Sequence, residues 1–530
     1  MPSLRSISAL AGLLVAVLIV LLPGQFEALT SPRAWWRPPF EPGVALALLV
    51  LVPARGRRML AWGLALLFTL MLVMKLADMA ALGAYWRTFD PVSDWRLLGP
   101  GWNVLSNTVG VGWARAGLLL LLVLLILVLV VLGRGFEAAA RGGAGWPRRA
   151  LAASLGCSAL VLVIGGLGGN GWAATTTASI VAHVRESRSN LEGLAELKAR
   201  VAQADPDDQP GARLFTGLRG RDVLLLFVES YGRSALDDPR YQARVRGRLE
   251  VIEHSLGRVN YEARSGWLES PTVGGQSWLA HSTLLSGLWI NSQRRYNWLT
   301  GTSRLTLTQL FGRAGWRTVA AMPANTRAWP EADFYGYDTV YDARSLGYEG
   351  RPFNWVTMPD QFTLASVYQR ELAARDDVPV MLEAALISSH APWTPIPTLR
   401  NWDQLDRGRV FNDEAVAGDP PAVVWQDPER VRAQYLESID YTLQVIGSFV
   451  TAYQQTDPVV IVLGDHQPAS IITGDRATRQ VPMHILAPRG NALLDEATEW
   501  GWTSGMIPAA GQRPVGMDQF RHMLVTGRER

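Results

Sequence analysis

The chain has 530 residues, of which 48% are hydrophobic and 18% charged, with a mean hydropathy of +0.08. That composition excludes a disordered chain and argues against one purely soluble globule. At roughly 100–200 residues per domain it leaves room for two or three units. Fifty Lys and Arg against 47 Asp and Glu give a net charge of +3, too small an excess to point to nucleic acid. The single cysteine, Cys157, excludes a disulfide framework and a thiolate metal cluster. Any metal chemistry must therefore use oxygen and imidazole ligands.

Taken in chain order, the first apolar run is Ile7 to Pro23, uncharged and followed by no clear small-residue cleavage site, so it reads as an anchor. Val44 to Val52 is a shorter run closed by Pro42 and Pro53. Met59 to Met74, Ala116 to Gly133 and Ala150 to Gly169 complete a set of about five predicted spans, judged against the ~20 residues that cross a ~30 Å hydrocarbon slab. Arg55, Arg57 and Arg58 precede the third span, and Arg134, Arg141, Arg148 and Arg149 separate the fourth from the fifth. Both clusters belong on the cytoplasmic side, which places everything after about residue 170 outside. Lys75 and Asp78, one helical turn apart near the outer end of the third span, are expected to pair with each other.

The predicted organisation is a helical transmembrane domain over 1–170, a linker with a helical segment over 171–215, and an extracytoplasmic α/β domain over 216–530. In that last domain short apolar runs end in polar residues. Val223 to Val228 ends in Glu229-Ser230, Leu382 to Ile387 in Ser388-Ser389-His390, and Val459 to Leu463 in Gly464-Asp465-His466. These read as strands buried on both faces. Thr318 to Met322 and Met483 to Leu486 are further strands, and Pro428 to about Tyr453 is the clearest helix. The alternation predicts a mostly parallel central sheet.

Ligands in such sheets bind beyond the carboxyl ends of the strands, where Glu229, His390, Asp465 and His466 all fall. Glu229, Asp465 and His466 suit a divalent cation such as Mn²⁺ or Zn²⁺. The loop from Ser270 to Ser277 offers a fourth group as it enters a helix beginning near Trp278. A hydroxyl there lies in the field of the helix N-terminus and, metal-bound, becomes a nucleophile suited to phosphorus; the alternative is that Ser277 is only an N-cap. His281, one turn after Ser277, is a candidate substrate contact. His484 is read either as a site residue or as a satisfied core histidine.

The run Asp222 to Glu229, then Gly275-Gln276-Ser277 through Leu284-Leu285-Ser286-Gly287, then Gly464-Asp465-His466, resembles the alkaline phosphatase/sulfatase superfamily. Tyr435 to Thr442, and Trp329 followed by Tyr335 to Asp338, are similar to lipoteichoic acid synthase and the phosphoethanolamine and phosphoglycerol transferases. The resemblance implies an alkaline phosphatase-like domain with one divalent metal (Mn²⁺ or Zn²⁺, with Mg²⁺ as a further option) held by Glu229, Asp465, His466 and the Ser277 hydroxyl. It implies that Ser277 attacks a membrane-lipid phosphodiester and carries a phosphoryl-alcohol group. His390 would contact the phosphate or leaving group, and Trp329 the headgroup.

Ser277 stands where these transferases usually carry Thr, Met322 where the lipoteichoic group has a His, and Glu331 where it has an Arg. Arg327 is the nearby residue that would substitute for that arginine. A true sulfatase needs formylglycine made in a Cys/Ser-x-Pro-x-Arg context, whereas Ser277 is followed by Trp278, Leu279, Ala280 and His281. The expected function is therefore a metal-dependent transferase of the plasma (inner) membrane. It would have a phospholipid donor, an envelope glycan, lipid or polymer acceptor, and no nucleic-acid partner. The alternatives are an envelope phosphatase or phosphodiesterase of the same fold, and a non-catalytic scaffold.

Overall fold

The structure, a computed structural model, describes residues 4–23, 29, 41–85, 87–91, 94–141, 175–373, 377–453, 457–474 and 478–527. The chain divides into two units, Met1–Glu192 and Gly193–Arg530. The division falls inside one helix, Thr175–Val201, which covers most of the described residues of the expected linker.

In the first unit the helices are α1 (Leu4–Leu21), α2 (Glu41–Leu51), α3 (Ala54–Tyr85), α4 (Leu98–Val109) and α5 (Val111–Arg141), with α6 (Thr175–Val201) following. Among the described residues two stretches, Ala54–Gly83 and Val111–Arg141, are long and apolar enough to cross a membrane. The 11 residues of α2 rise only about 17 Å as a helix, short of a bilayer core. The span expected at Ala150 to Gly169 lies outside the described residues, so five spans are not established. Leu118 to Leu122 of α5 are all exposed, as apolar residues facing lipid would be.

Gly12 of α1 and Gly135 of α5 meet so closely that a Cβ on Gly135 would fall 2.5 Å from the Gly12 Cα. Small residues facing each other in this way let two helices approach closely. The mutual pairing expected of Lys75 and Asp78 gives way to partners on other segments. Lys75 Nζ donates to the carbonyls of Ile19, Val20 and Leu22 at 3.0, 2.7 and 2.9 Å, placing a cation on the negative end of α1. Asp78 accepts from Phe89 N at 2.9 Å and lies 3.1 Å from His183 Nε2.

The second unit is built on one nine-stranded sheet in the order β4-β3-β5-β1-β6-β7-β2-β8, with β9 beside β2. Its strands are β1 (Val223–Val228), β2 (Tyr261–Glu269), β3 (Arg317–Met322), β4 (Thr339–Asp342), β5 (Val380–Leu386), β6 (Val459–Gly464), β7 (Gln480–Pro488), β8 (Thr503–Ser504) and β9 (Val515–Gly516). From β4 to β6 every neighbouring pair is parallel, as expected of an alkaline phosphatase-like α/β domain. At β6–β7 and β7–β2 the direction reverses.

Central β1 is buried throughout, and its side chains alternate between two cores, as a period of two requires. Leu224, Leu226 and Val228 join one core and Val223, Leu225 and Phe227 the other. The first core is covered by α7 (Gln242–Arg258) and α9 (Pro428–Ala452), the latter through Tyr435, Ile439, Leu443 and Ile446. The second is covered by α8 (Ser277–Ser286) and α10 (Phe520–Thr526). Within this unit a buried ion cluster ties Asp205 and Asp207 to α10, through Arg521 Nη2 at 2.5 Å and Nε at 2.9 Å respectively.

Candidate active site

Glu229 follows β1, and Asp465 and His466 follow the adjacent β6, so parallel pairing sets the three side by side at one sheet edge. The junction is tight: a Cβ on Gly464 would fall 1.8 Å from the Tyr231 carbonyl oxygen. Ser277 enters as the first residue of α8, after a turn with Gly274, Gly275 and Gln276 all at positive φ. Gln276, at φ 63°, is the costly member of that turn. The helix N-cap is Gln276 rather than Ser277, which leaves the serine hydroxyl to the cluster.

Four side chains meet there. Ser277 Oγ donates to Glu229 Oε2 at 2.9 Å and lies 3.3 Å from His466 Nε2. His466 Nε2 is 3.2 Å from Glu229 Oε1 and 3.6 Å from Asp465 Oδ2. The lone pairs are aimed by surrounding bonds. His466 Nδ1 donates to the Gln467 carbonyl at 2.9 Å, which directs Nε2 inward. Asp465 Oδ1 accepts from the backbone amides of Ser230 and His466 at 2.8 and 2.6 Å, leaving Oδ2 to the centre.

Burial works against the charge on Glu229, yet the His466 and His390 imidazoles hold its carboxyl well below the usual range. Burial and then the Glu229 charge push Asp465 up to about 7. Burial also disfavours an imidazolium at His466, but the Asp465 and Glu229 carboxylates raise it to about 9. Carboxylates so buried keep their charge only beside a cation, a place the His466 imidazolium fills at 3.2 and 3.6 Å and a metal ion can take over. The ligand atoms of Glu229, Asp465 and His466 all lie within 4.8 Å of one another. Donors about 2.0–2.2 Å from a tetrahedral centre stand about 3.3–3.6 Å apart, close to the spacings observed, so the residues fit a divalent ion.

Residues 221–493, more than half of the chain, match the sulfatase family model. The chain belongs to the sulfatase family. Among solved structures, this sulfatase-family chain is similar to the lipoteichoic acid synthase LtaP of Listeria monocytogenes, with 14% identity over 64% of this chain and 78% of that one and a TM-score of 0.40. It is similar to the periplasmic domain of EptC from Escherichia coli, with 12% identity over 57% and 80% and a TM-score of 0.38. It is also similar to the phosphoglycerol transferase GacH of Streptococcus pyogenes, with 12% identity over 64% and 82% and a TM-score of 0.38. No curated protein matches the chain.

Around the cluster of this sulfatase-family site, His390 bonds through Nδ1 to the Ala391 carbonyl and stacks on Trp355. Its charge acts on Glu229. His281 bonds through Nδ1 to Glu383. Trp329 packs on Tyr335 and Tyr337, with centroids 5.5 and 6.4 Å away, and Tyr337 in turn donates to Glu383. Arg327 stays exposed in the loop after β3 and is not among the side chains gathered at the cluster.

His484 is different. It is fully buried, with Nε2 3.1 Å from the Tyr231 hydroxyl and Nδ1 2.8 Å from Ser265 Oγ. Burial lowers it to about 3. A neutral imidazole with both nitrogens satisfied fits the core-histidine alternative for this residue. Trp355 and Glu383 are not singled out by the sequence, and Tyr337 stands there only inside the Tyr335 to Asp338 motif. A carboxylate inside the apolar run of β5 is a signal that could have found Glu383.

Proposed function

We propose that the protein is a metal-dependent transferase that moves a phosphoryl-alcohol group from a phospholipid, through a covalent intermediate on Ser277, to a glycan, lipid or polymer acceptor of the cell envelope. The observation that carries this reading is the Ser277 hydroxyl, 2.9 Å from Glu229 and 3.3 Å from His466 at the first turn of α8. Glu229, Asp465, His466 and the Ser277 oxygen would hold one divalent ion, Mn²⁺ or Zn²⁺ or Mg²⁺. Bound there, the ion supplies Lewis acidity that lowers the proton affinity of the serine oxygen and offsets phosphoryl charge.

The residues of the chain do the rest. Ser277 Oγ forms a bond to phosphorus as the lipid alcohol departs, and the acceptor oxygen then displaces Oγ. The amide ends of α8 face developing negative charge. His390 binds the phosphoryl oxygens or the leaving group, held flat by Trp355. Trp329 offers an aromatic face to the headgroup, with Arg327 as an exposed cation at the rim. The two helices able to cross a membrane favour an anchored enzyme, which we assign to the plasma (inner) membrane as a multi-pass protein with the catalytic unit outside. The formylglycine pattern needs a proline two residues and an arginine four residues after the nucleophile. Leu279 and His281 occupy those places, which favours phosphorus over sulfate.

Mass spectrometry of the intact chain after incubation with phospholipid vesicles and Mn²⁺ tests this. A headgroup-phosphate adduct on Ser277, absent from Ser277→Ala, is expected. No adduct with any phospholipid would overturn the transferase reading.

A further inference from the structure

Glu383 is a buried carboxylate that the transfer above does not use. It stands within β5, fully buried, in register with Leu225 of β1 and Ala320 of β3. A charge in an apolar strand is costly unless its oxygens are engaged. Here each oxygen has a partner: His281 Nδ1 lies 2.6 Å from Oε1, and the Tyr337 hydroxyl donates to Oε2. Burial and the Glu383 charge raise the Tyr337 phenol well above its ordinary value, so it remains a donor. The His281 ring stacks on Phe227 of β1, centroids 3.7 Å apart, and Phe227 lies two residues before Glu229 along the same extended backbone.

One helical turn separates His281 from Ser277 on α8. The imidazole acts electrostatically on Asp465, and its side chain keeps 12% exposure. With Nδ1 committed to Glu383, Nε2 is the ring nitrogen left for a substrate. His390 and His281 therefore differ in kind. His390 is tied to a neutral backbone carbonyl, whereas His281 is tied to a buried carboxylate, the arrangement that fixes a tautomer and stabilises the imidazolium formed during proton transfer.

We propose that Glu383, steadied by Tyr337, is a positioning residue that orients His281 to carry the proton of the exchanging alcohol oxygen, an inference that rests on the transferase reading. Ser277 gives its hydroxyl proton to solvent once, before the first turnover, and thereafter enters and leaves as the alkoxide, so the only proton carried within the cycle is the one on His281 Nε2. In the first half-reaction the bond from Oγ to phosphorus forms, the bond from phosphorus to the donor alcohol oxygen breaks, and that oxygen takes the proton from Nε2. In the second half-reaction the neutral Nε2 takes the proton of the acceptor hydroxyl as its oxygen bonds to phosphorus and the Oγ bond breaks. The imidazolium is thereby restored.

The test compares two soluble diesters on the purified full-length chain with Mn²⁺. Bis(para-nitrophenyl) phosphate releases an anion that needs no proton, while glycerophosphoethanolamine releases an alcohol that does. Glu383→Gln and His281→Gln should lose about 10²-fold in kcat on the dialkyl diester and roughly tenfold less on the aryl diester, with Tyr337→Phe showing a smaller loss of the same pattern. If Glu383→Gln does not fold, His281→Gln and Tyr337→Phe carry the comparison. Equal losses on both diesters, or none, would overturn the relay, as would a wild type inert toward both. A wild type that cleaves both yet forms no adduct from phospholipid vesicles would overturn the lipid donor while the soluble diesters still decide the relay.

Discussion

Trp355 lies almost flat against His390, ring centroids 3.9 Å apart and planes 23° from parallel. The imidazole has one nitrogen on a backbone carbonyl and one face on the indole, so its remaining nitrogen has a single direction. An aromatic pair of this kind is worth about 0.5–1.5 kcal/mol. Trp355→Ala should lower kcat/KM on a phosphodiester by about two- to tenfold, with circular dichroism unchanged. A variant as active as wild type would show that His390 needs no support from this side.

Metal binding should release protons. In the metal-free protein Asp465 titrates near 7 and His466 near 9, both above their ordinary values. Each therefore adds stability at low pH that fades as pH rises through those values. An incoming divalent ion competes with these protons, so affinity should climb by roughly tenfold per pH unit for each proton displaced. Titration of Mn²⁺ or Zn²⁺ into the apoprotein at pH 6 and pH 8, followed by thermal unfolding, should give the larger stabilisation at pH 8. Asp465→Asn should flatten the difference.

Asp360 binds the loop that carries His390. Its Oδ1 accepts from the amides of Ile387 and Ser388 at 2.7 and 3.0 Å, and Oδ2 accepts from Thr442 at 2.7 Å. Burial pushes this carboxyl up to about 6 against hydrogen bonds that lower it. Because the folded value is raised, its contribution is present below about 4 and lost as pH passes 6. Asp360→Asn keeps an acceptor and removes the charge. Its stability relative to wild type, read by urea unfolding, should therefore improve between pH 4 and pH 8 by about 1–3 kcal/mol.

Gly464 admits no side chain, since a Cβ there would meet the Tyr231 carbonyl oxygen at 1.8 Å. Backbone must shift, at about 1–3 kcal/mol, at the residue that delivers Asp465 and His466. Gly464→Ala should lower the midpoint of thermal unfolding and abolish stabilisation by metal. Retained metal stabilisation would mean that the strand end tolerates displacement.

Much of the site is legible in the sequence because its chemistry sits where apolar runs stop. Glu229 after Val223–Val228 and Asp465-His466 after Val459–Gly464 stand out as polar residues at the ends of buried strands. Ser277 is visible as the hydroxyl after a Gly-Gly turn. His484 is not legible in this way, because its partners Ser265 and Tyr231 depend on which strand lies beside β7 and in which direction. Hydrophobicity does not encode strand direction, so the reversal at β6–β7 is equally hidden. Trp355 lies outside the named helices and strands, where no periodicity marks it. Lys75 finds its partners in the carbonyls closing α1, a matter of helix neighbours rather than spacing within one helix.

The position of β1 between β5 and β6 governs how this unit is made. Val223 pairs with Met381 on one side and Val459 on the other, so the most apolar strand emerges long before either neighbour exists. At roughly 5–20 residues per second of synthesis, the wait for β6 is about 10–50 s. Through that interval a sticky ribbon with two open edges must be shielded from other nascent chains. The burden on the folding machinery of the cell is thus set by strand order.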